Sequence, residues 1–165
     1  MTISKTLHSS NHSGNNMASE SHQKSRVKDC PLVNLHKHHH ENGNLSVVEN
    51  FNELPFELRR IYYLYDIPGG EERGGHSHYN CEEFIIAVCG SFDIMLDDGV
   101  NQRIISLNRS NTGVLVKPGI WRVLNNFSSG AVCLVIASEE YDESDYVRSY
   151  DEFKKLTLGK IYEDN

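Results

Sequence analysis

An all-β chain folded as a sandwich or barrel is what this sequence predicts, and three observations predict it. Short stretches rich in Val, Ile, Tyr and Phe recur from Leu45 onward. Turn chemistries such as Pro68-Gly69-Gly70, Asp97-Asp98-Gly99 and Pro118-Gly119 separate them at regular intervals. No helical period intervenes before the closing stretch, which leaves closed or stacked antiparallel sheets as the economical architecture. The 165 residues carry a formal net charge of -7 and a mean hydropathy of -0.50, as expected of one globular domain with a polar extension.

In chain order, residues 1–44 contain no Phe, Tyr or Trp and are dominated by Ser, Asn, His and Lys. Such a segment buries too little apolar area to offset its ordering entropy, so it is predicted to be a disordered extension. A folded domain is predicted over 45–158. Its strands are expected at 45–49, 58–66, 73–78, 82–89, 92–96, 103–107, 113–116, 121–125 and 131–137, where β-branched and aromatic residues cluster. A short helix is expected over 151–156, with Phe153 and Leu156 on one face and Asp151 near the positive end of the dipole. Residues 159–165 read as a tail.

Several function classes are excluded on composition. No apolar run approaches the roughly 18 residues of a membrane span, and the first residues lack the apolar centre of a secretory signal. A cytoplasmic protein with no membrane partner is the expectation. Acidic balance and unclustered Lys and Arg argue against nucleic acid as a partner. Cys30, Cys81, Cys89 and Cys133 show no C-x-x-C spacing and read as buried filler.

Of nine histidines, seven lie in the first forty residues, leaving His76 and His78 alone in the predicted fold. Residues two apart on a strand point to one face, so these imidazoles project together, as metal ligands or as acid/base groups. Gly70, His76, His78, Glu83 and Gly90 satisfy G-x5-H-x-H-x4-E-x6-G, the first signature of the cupin superfamily. In the second signature, after Pro118-Gly119, Arg122 stands where a histidine is expected. A guanidinium stays protonated and cannot ligate a metal, so a metal-free lumen is predicted, with both histidines available for proton transfer.

A more specific resemblance follows from Arg59-Arg60-Ile61-Tyr62-Tyr63, Arg73-Gly74-Gly75-His76-Ser77-His78, Leu96-Asp97-Asp98-Gly99, Trp121 and the closing run from Tyr141 to Phe153. These segments resemble the sugar 3,4-ketoisomerases, including the C-terminal domains of WxcM-like proteins. The resemblance implies a cupin-type double-stranded β-helix (jelly roll) and a homodimer. It implies an isomerase of deoxysugar and glycan biosynthesis that moves the carbonyl of dTDP-4-keto-6-deoxyglucose from C4 to C3 through an enediol, with no cofactor. On that reading His78 is the base, His76 shuttles or polarises, and Tyr62 donates to the enediolate. Arg60 and Arg73 grip the diphosphate, and Arg122 walls the lumen near the sugar oxygens. Trp121 packs or stacks on the base, and only one of Glu82 and Glu83 points inward. Because Arg122 cannot hand over a proton, protonation from the histidine face and a gluco-configured product are expected. Three other readings compete: a metal-dependent dioxygenase with His76, His78 and Glu83 as a facial triad, a sugar-nucleotide-binding cupin without turnover, and a cupin sugar epimerase.

Overall fold

The computed structural model describes residues 25–163, with side chains through Thr157. A 3-10 turn over Val27–Asp29 leads into β1 (Leu32–Asn34), β2 (His38–His40), β3 (Gly43–Leu45), β4 (Arg60–Leu64), β5 (Arg73–His78), β6 (Glu83–Cys89) and β7 (Phe92–Asp97). The chain continues through β8 (Gln102–Leu107), β9 (Thr112–Val116), β10 (Trp121–Asn125), β11 (Val132–Ala137), a second 3-10 turn (Glu143–Asp145), β12 (Tyr146–Val147) and α1 (Tyr150–Glu163). Two five-stranded sheets face each other, in the orders β1-β9-β6-β11-β4 and β12-β5-β10-β7-β8, and β2 and β3 form a separate hairpin. Every pairing between these strands is antiparallel. This is the predicted all-β jelly roll.

Strand alternation decides what fills the space between the sheets. Ile85 and Ala87 of β6, Ile94 and Leu96 of β7, Val114 and Val116 of β9, and Cys133 and Val135 of β11 meet there with Phe92, Leu107 and Leu124. Each Val, Leu, Ile or Phe among them contributes about 1.5–3 kcal/mol on burial. Alternate residues Phe84, Ile86, Leu115 and Ile136 face the other way, where Leu35, Leu54 and Phe56 cover them. On the outer face of the second sheet, Trp121 packs with Val147 and with Phe153 of α1. The outer cover of both sheets therefore comes from segments before β4 and after β11.

Three expectations change. The disordered extension predicted over 1–44 is folded from Val27: β1 pairs with β9 (Leu32↔Val114 to Asn34↔Thr112), and Val27, Cys30 and Leu35 are buried. An aromatic-free segment achieves this because an existing sheet edge supplies its hydrogen bonds, so it need bury only a few small side chains. The remainder of that prediction, residues 1–24, lies outside the described residues. The strand expected over 45–49 is only the end of the β2–β3 hairpin at Leu45. Finally, α1 runs to Glu163, past both the predicted 151–156 and the start of the predicted tail. Ser149 accepts from the Glu152 amide at its start, and Asp151 and Glu152 occupy the first turn, favourable to the dipole.

Candidate active site

At one end of the space between the sheets, polar side chains replace apolar ones. His76 and His78 of β5 are both buried and stand edge to face, with ring centroids 4.9 Å apart. Tyr146 of β12 packs on both rings, at 4.8 Å and 4.3 Å. Arg122 on β10 is the register partner of His76. Its Nε donates to Glu83 Oε2 at 2.6 Å, its Nη2 to the Tyr62 hydroxyl at 3.0 Å and its Nη1 to the Gly74 carbonyl at 2.9 Å. Tyr62 donates in turn to Glu83 Oε1 at 2.6 Å. Arg122, Glu83 and Tyr62 thus close a ring of charge-assisted hydrogen bonds bridging the two sheets.

Beside this ring opens a cavity of about 250 Å³. Leu64, Leu124 and Val135 form its apolar wall, Tyr62, His76 and Arg122 its polar wall, and Arg73 and Arg148 its cationic lining. The Nε2 atom of His76 is buried without a hydrogen-bond partner, which is the state of an acceptor kept ready for a ligand.

Electrostatics follow from burial and from the Arg122 charge. Burial alone would raise the Glu83 carboxyl, but Arg122 outweighs it and holds Glu83 well below the usual carboxylate range. Burial opposes the Arg122 charge, and Glu83 reverses the effect so that Arg122 holds its proton more tightly. Tyr62 is pushed up, chiefly by burial, and stays a neutral donor. His76 is lowered to about 3, by burial first and by Arg122 second, so its imidazole is neutral at physiological pH.

One glycine permits the arrangement. Gly74 has φ +74, and a Cβ there would lie 2.5 Å from Arg122 Nη1 and 2.6 Å from Leu124 Cδ1. The β5–β10 register shifts at this point, between Arg122 and Leu124. Gly74→Ala is therefore expected to destabilise the fold by about 1–3 kcal/mol, through overpacking and positive φ, and to displace the guanidinium. A lowered urea midpoint together with weakened turnover checks this; a variant with the wild-type midpoint contradicts it.

The structure brings together His76, His78, Tyr62 and Arg122 and puts Arg73 on the cavity lining, as the sequence reading anticipated. Between the two adjacent tyrosines, Tyr62 is the inward one and Tyr63 is 59% exposed. Glu83 is the inward acid, while Glu82 pairs with Lys117 at 2.7 Å. Arg60 is placed differently. It lies off the cavity lining, donating from Nη2 to the Tyr146 hydroxyl at 3.3 Å with its guanidinium over the Tyr62 ring. His78 likewise sits behind His76, its Nδ1 2.9 Å from Asp145 Oδ2. Trp121 packs against Tyr150 and Phe153 on the outer face. Of the cysteines, Cys30, Cys81 and Cys133 are buried filler, but Cys89 is exposed. Sequence reasoning did not assign a site role to Arg148 or Asp145. Both belong to the closing Tyr141-to-Phe153 run, whose unusual density of charge and tyrosine was the available signal.

Many cupins hold a metal at this point of the barrel, and ligand atoms of His76, His78 and Glu83 do lie within 4.8 Å of one another. The donor set does not fit a cation. Both Glu83 oxygens already accept hydrogen bonds, from Arg122 and Tyr62, and the guanidinium supplies the positive charge a metal would bring. A second group, His78, Cys81 and Asp145, fits no better, because the Asp145 carboxylate already receives donors on both oxygens.

The family model described as FdtA, WxcM-like, C-terminal matches residues 28–158. The chain belongs to this WxcM-like, C-terminal family. The match begins at Lys28, in agreement with a fold that starts near Val27 and not at Leu45. Among relatives of the family, the TDP-4-oxo-6-deoxy-alpha-D-glucose-3,4-oxoisomerase of Aneurinibacillus thermoaerophilus is 39% identical over 130 residues, 79% of this chain and 93% of that protein. The WlaRB TDP-quinovose 3,4-ketoisomerase of Campylobacter jejuni matches with a TM-score of 0.75 at 43% identity, covering 78% of this chain and 99% of that one. QdtA, a sugar 3,4-ketoisomerase of Thermoanaerobacterium thermosaccharolyticum solved in complex with TDP, matches at TM-score 0.79 and 32% identity, covering 82% of this chain and 98% of that one.

Proposed function

We infer that this chain is a sugar 3,4-ketoisomerase acting on dTDP-4-keto-6-deoxyglucose. The observation that carries the reading is the buried, unpartnered Nε2 of His76, set in a cavity wall beside Arg122 and Tyr62. The reaction moves one proton between carbons and one between oxygens, so it balances without an external oxidant. His76 takes the proton from C3, next to the C4 carbonyl. Charge develops on the oxygen at C4 as the enediolate forms; Arg122 meets it with an N–H, and the Tyr62 O–H turns to it from Glu83 Oε1. Returning the carbon proton to C4 while the C3 hydroxyl loses its own leaves the carbonyl at C3. The Tyr62 phenol, kept neutral by burial, is suited to hand the second proton between the two oxygens.

This exchanges the roles expected for the two histidines: His76 is the base, because it lines the cavity, and His78 supports it from behind. Arg73 and Arg148 hold the diphosphate at the cavity mouth, and Arg60 steadies Tyr62 and Tyr146. A second copy of the chain covers the exposed row of Ile61 and Tyr63 on edge strand β4 and Tyr65 just beyond its end. No helix of the described residues is long and apolar enough to cross a membrane, and we place the enzyme in the cytoplasm, in deoxysugar synthesis for a glycan.

Incubation with dTDP-4-keto-6-deoxyglucose in deuterated water, followed by NMR, tests the reading. The expected product has its carbonyl at C3, deuterium at C4 and an equatorial C4 hydroxyl; because H3 and H4 of a gluco sugar lie on opposite ring faces, C4 is then protonated from the face away from His76. Unchanged substrate, or exchange without carbonyl migration, overturns the isomerase. An axial C4 hydroxyl overturns only the gluco configuration, which the resemblance to a TDP-quinovose enzyme also supports.

A further inference from the structure

The closing run of the sequence is a strap: β12 lies along β5, with Tyr146 opposite His78 and Val147 opposite Ser77. Just before it, Asp145 is buried and turned toward the site. Its Oδ2 accepts from His78 Nδ1 at 2.9 Å and from the Cys81 amide at 3.2 Å. Its Oδ1 accepts from the Asn80 amide at 2.7 Å and from Asn80 Nδ2 at 3.0 Å. A carboxylate has about four acceptor positions, and here donors face all of them.

We propose that Asp145 is a positioning residue for the proton transfer, fixing His78 with its N–H on Nδ1 so that Nε2 remains an acceptor. The other end of the ring then faces Glu83 Oε1 at 3.5 Å, with Nε2 buried and unpartnered. In the opposite tautomer Nε2–H would donate to Glu83. That bond would compete with Tyr62 and Arg122 for the same carboxylate and tie His78 to it. Held the right way round, His78 stands against His76 as an oriented neighbour whose Nε2 is left without a hydrogen-bond partner. A carboxylate behind an imidazole sets tautomer and orientation in this way in many sites.

Asparagine cannot replace Asp145. With its oxygen toward His78, its NH2 meets the two Asn80 donors; flipped, the NH2 faces His78 Nδ1 and the Cys81 amide and forces the Nε2–H tautomer. Asp145→Asn is therefore expected to lower kcat by about ten- to a hundredfold, while KM and the affinity for TDP stay within about twofold. Asn80→Ala, which removes a donor to the same carboxylate but leaves His78 its partner, is expected to keep kcat within about twofold. Equal losses in the two variants, or loss of TDP binding in Asp145→Asn, would assign Asp145 a merely structural role and overturn the proposal.

The decisive readout needs no variant that must fold. In ¹⁵N-detected imidazole spectra of the unliganded protein, with His78 assigned by through-bond correlation of its ring to its own backbone, the His78 proton is expected on Nδ1. A proton on Nε2 alone overturns the proposal. The idea rests on the two histidines being proton carriers, but the tautomer is read without substrate. A missing isomerase activity with the Nδ1 tautomer present would sink the functional reading and leave the Asp145–His78 geometry standing.

Discussion

Replacing Arg122 with methionine is expected to lower folding stability by about 3–5 kcal/mol, because it leaves the Glu83 carboxylate buried without a countercharge. Glu83 is 1% exposed and Arg122 2%, so water cannot screen the loss. The pH dependence should identify the cause. With Arg122 gone, burial is the largest influence left on Glu83 and outweighs the lowering by His78, so its folded-state pKa rises above the unfolded value near 4.3. A group raised in this direction favours the folded state fully below the unfolded pKa, and that contribution is lost as pH rises through the folded pKa. The Arg122→Met deficit is therefore smaller at pH 5 than at pH 8, measured by urea unfolding at both. Adding Glu83→Gln should recover part of the stability at pH 8 without recovering turnover, since the Arg122 donor to the substrate oxygen stays absent. A deficit independent of pH, or no recovery in the double variant, contradicts the account.

Most strands that build the barrel were legible because their residues alternate against a core: the predicted 73–78 and 121–125 coincide with β5 and β10, and the other predicted strands, 45–49 apart, match within two residues at each end. What was not legible lies at the edges. Leu32, Val33 and Asn34 form a strand only because β9 offers an unpaired edge, and Leu35, Leu54 and Phe56 are buried only because β6 and β11 turn apolar residues outward. Local composition carries no trace of such a neighbour. An aromatic count of zero over 1–44 therefore misplaced the domain boundary by about eighteen residues, from Leu45 back to Val27.

In the candidate site, period-two alternation brought His76 and His78 onto one face and selected Tyr62 over Tyr63. The same rule could not say which histidine reaches the cavity, since depth depends on what stands behind each ring. Behind His78 stands Asp145, some 67 residues later in the chain, delivered by a 3-10 turn whose position no local pattern announces. Arg60 was assigned to the diphosphate from its phase with Tyr62. The phase is right, but Tyr141 and Tyr146 of the strap receive the guanidinium and keep it off the cavity lining.

His76→Asn tests the central chemical assignment and is expected to lower kcat by about 10²–10⁴, the usual worth of a positioned general base. Asparagine keeps a side chain of comparable reach without a basic nitrogen, so TDP binding should persist. Deuterium should no longer enter the sugar from solvent. The same variant has a stability signature independent of catalysis. His76 is lowered from 6.5 to about 3 by burial and by the neighbouring Arg122, with His78, Glu83 and Arg148 the other charges acting on it. Between those pH values the unfolded chain binds a proton that the folded chain refuses. The folded state thus has the full benefit of a neutral His76 above about pH 6.5 and loses about 1.4 kcal/mol for each unit below it. Removing the imidazole removes that slope, so His76→Asn should lose less stability than wild type between pH 6.5 and pH 4.5. A variant that retains isomerisation, or one whose stability falls as steeply with acid as wild type, would show that another group is the base or that His76 is not shielded as its place in the barrel requires.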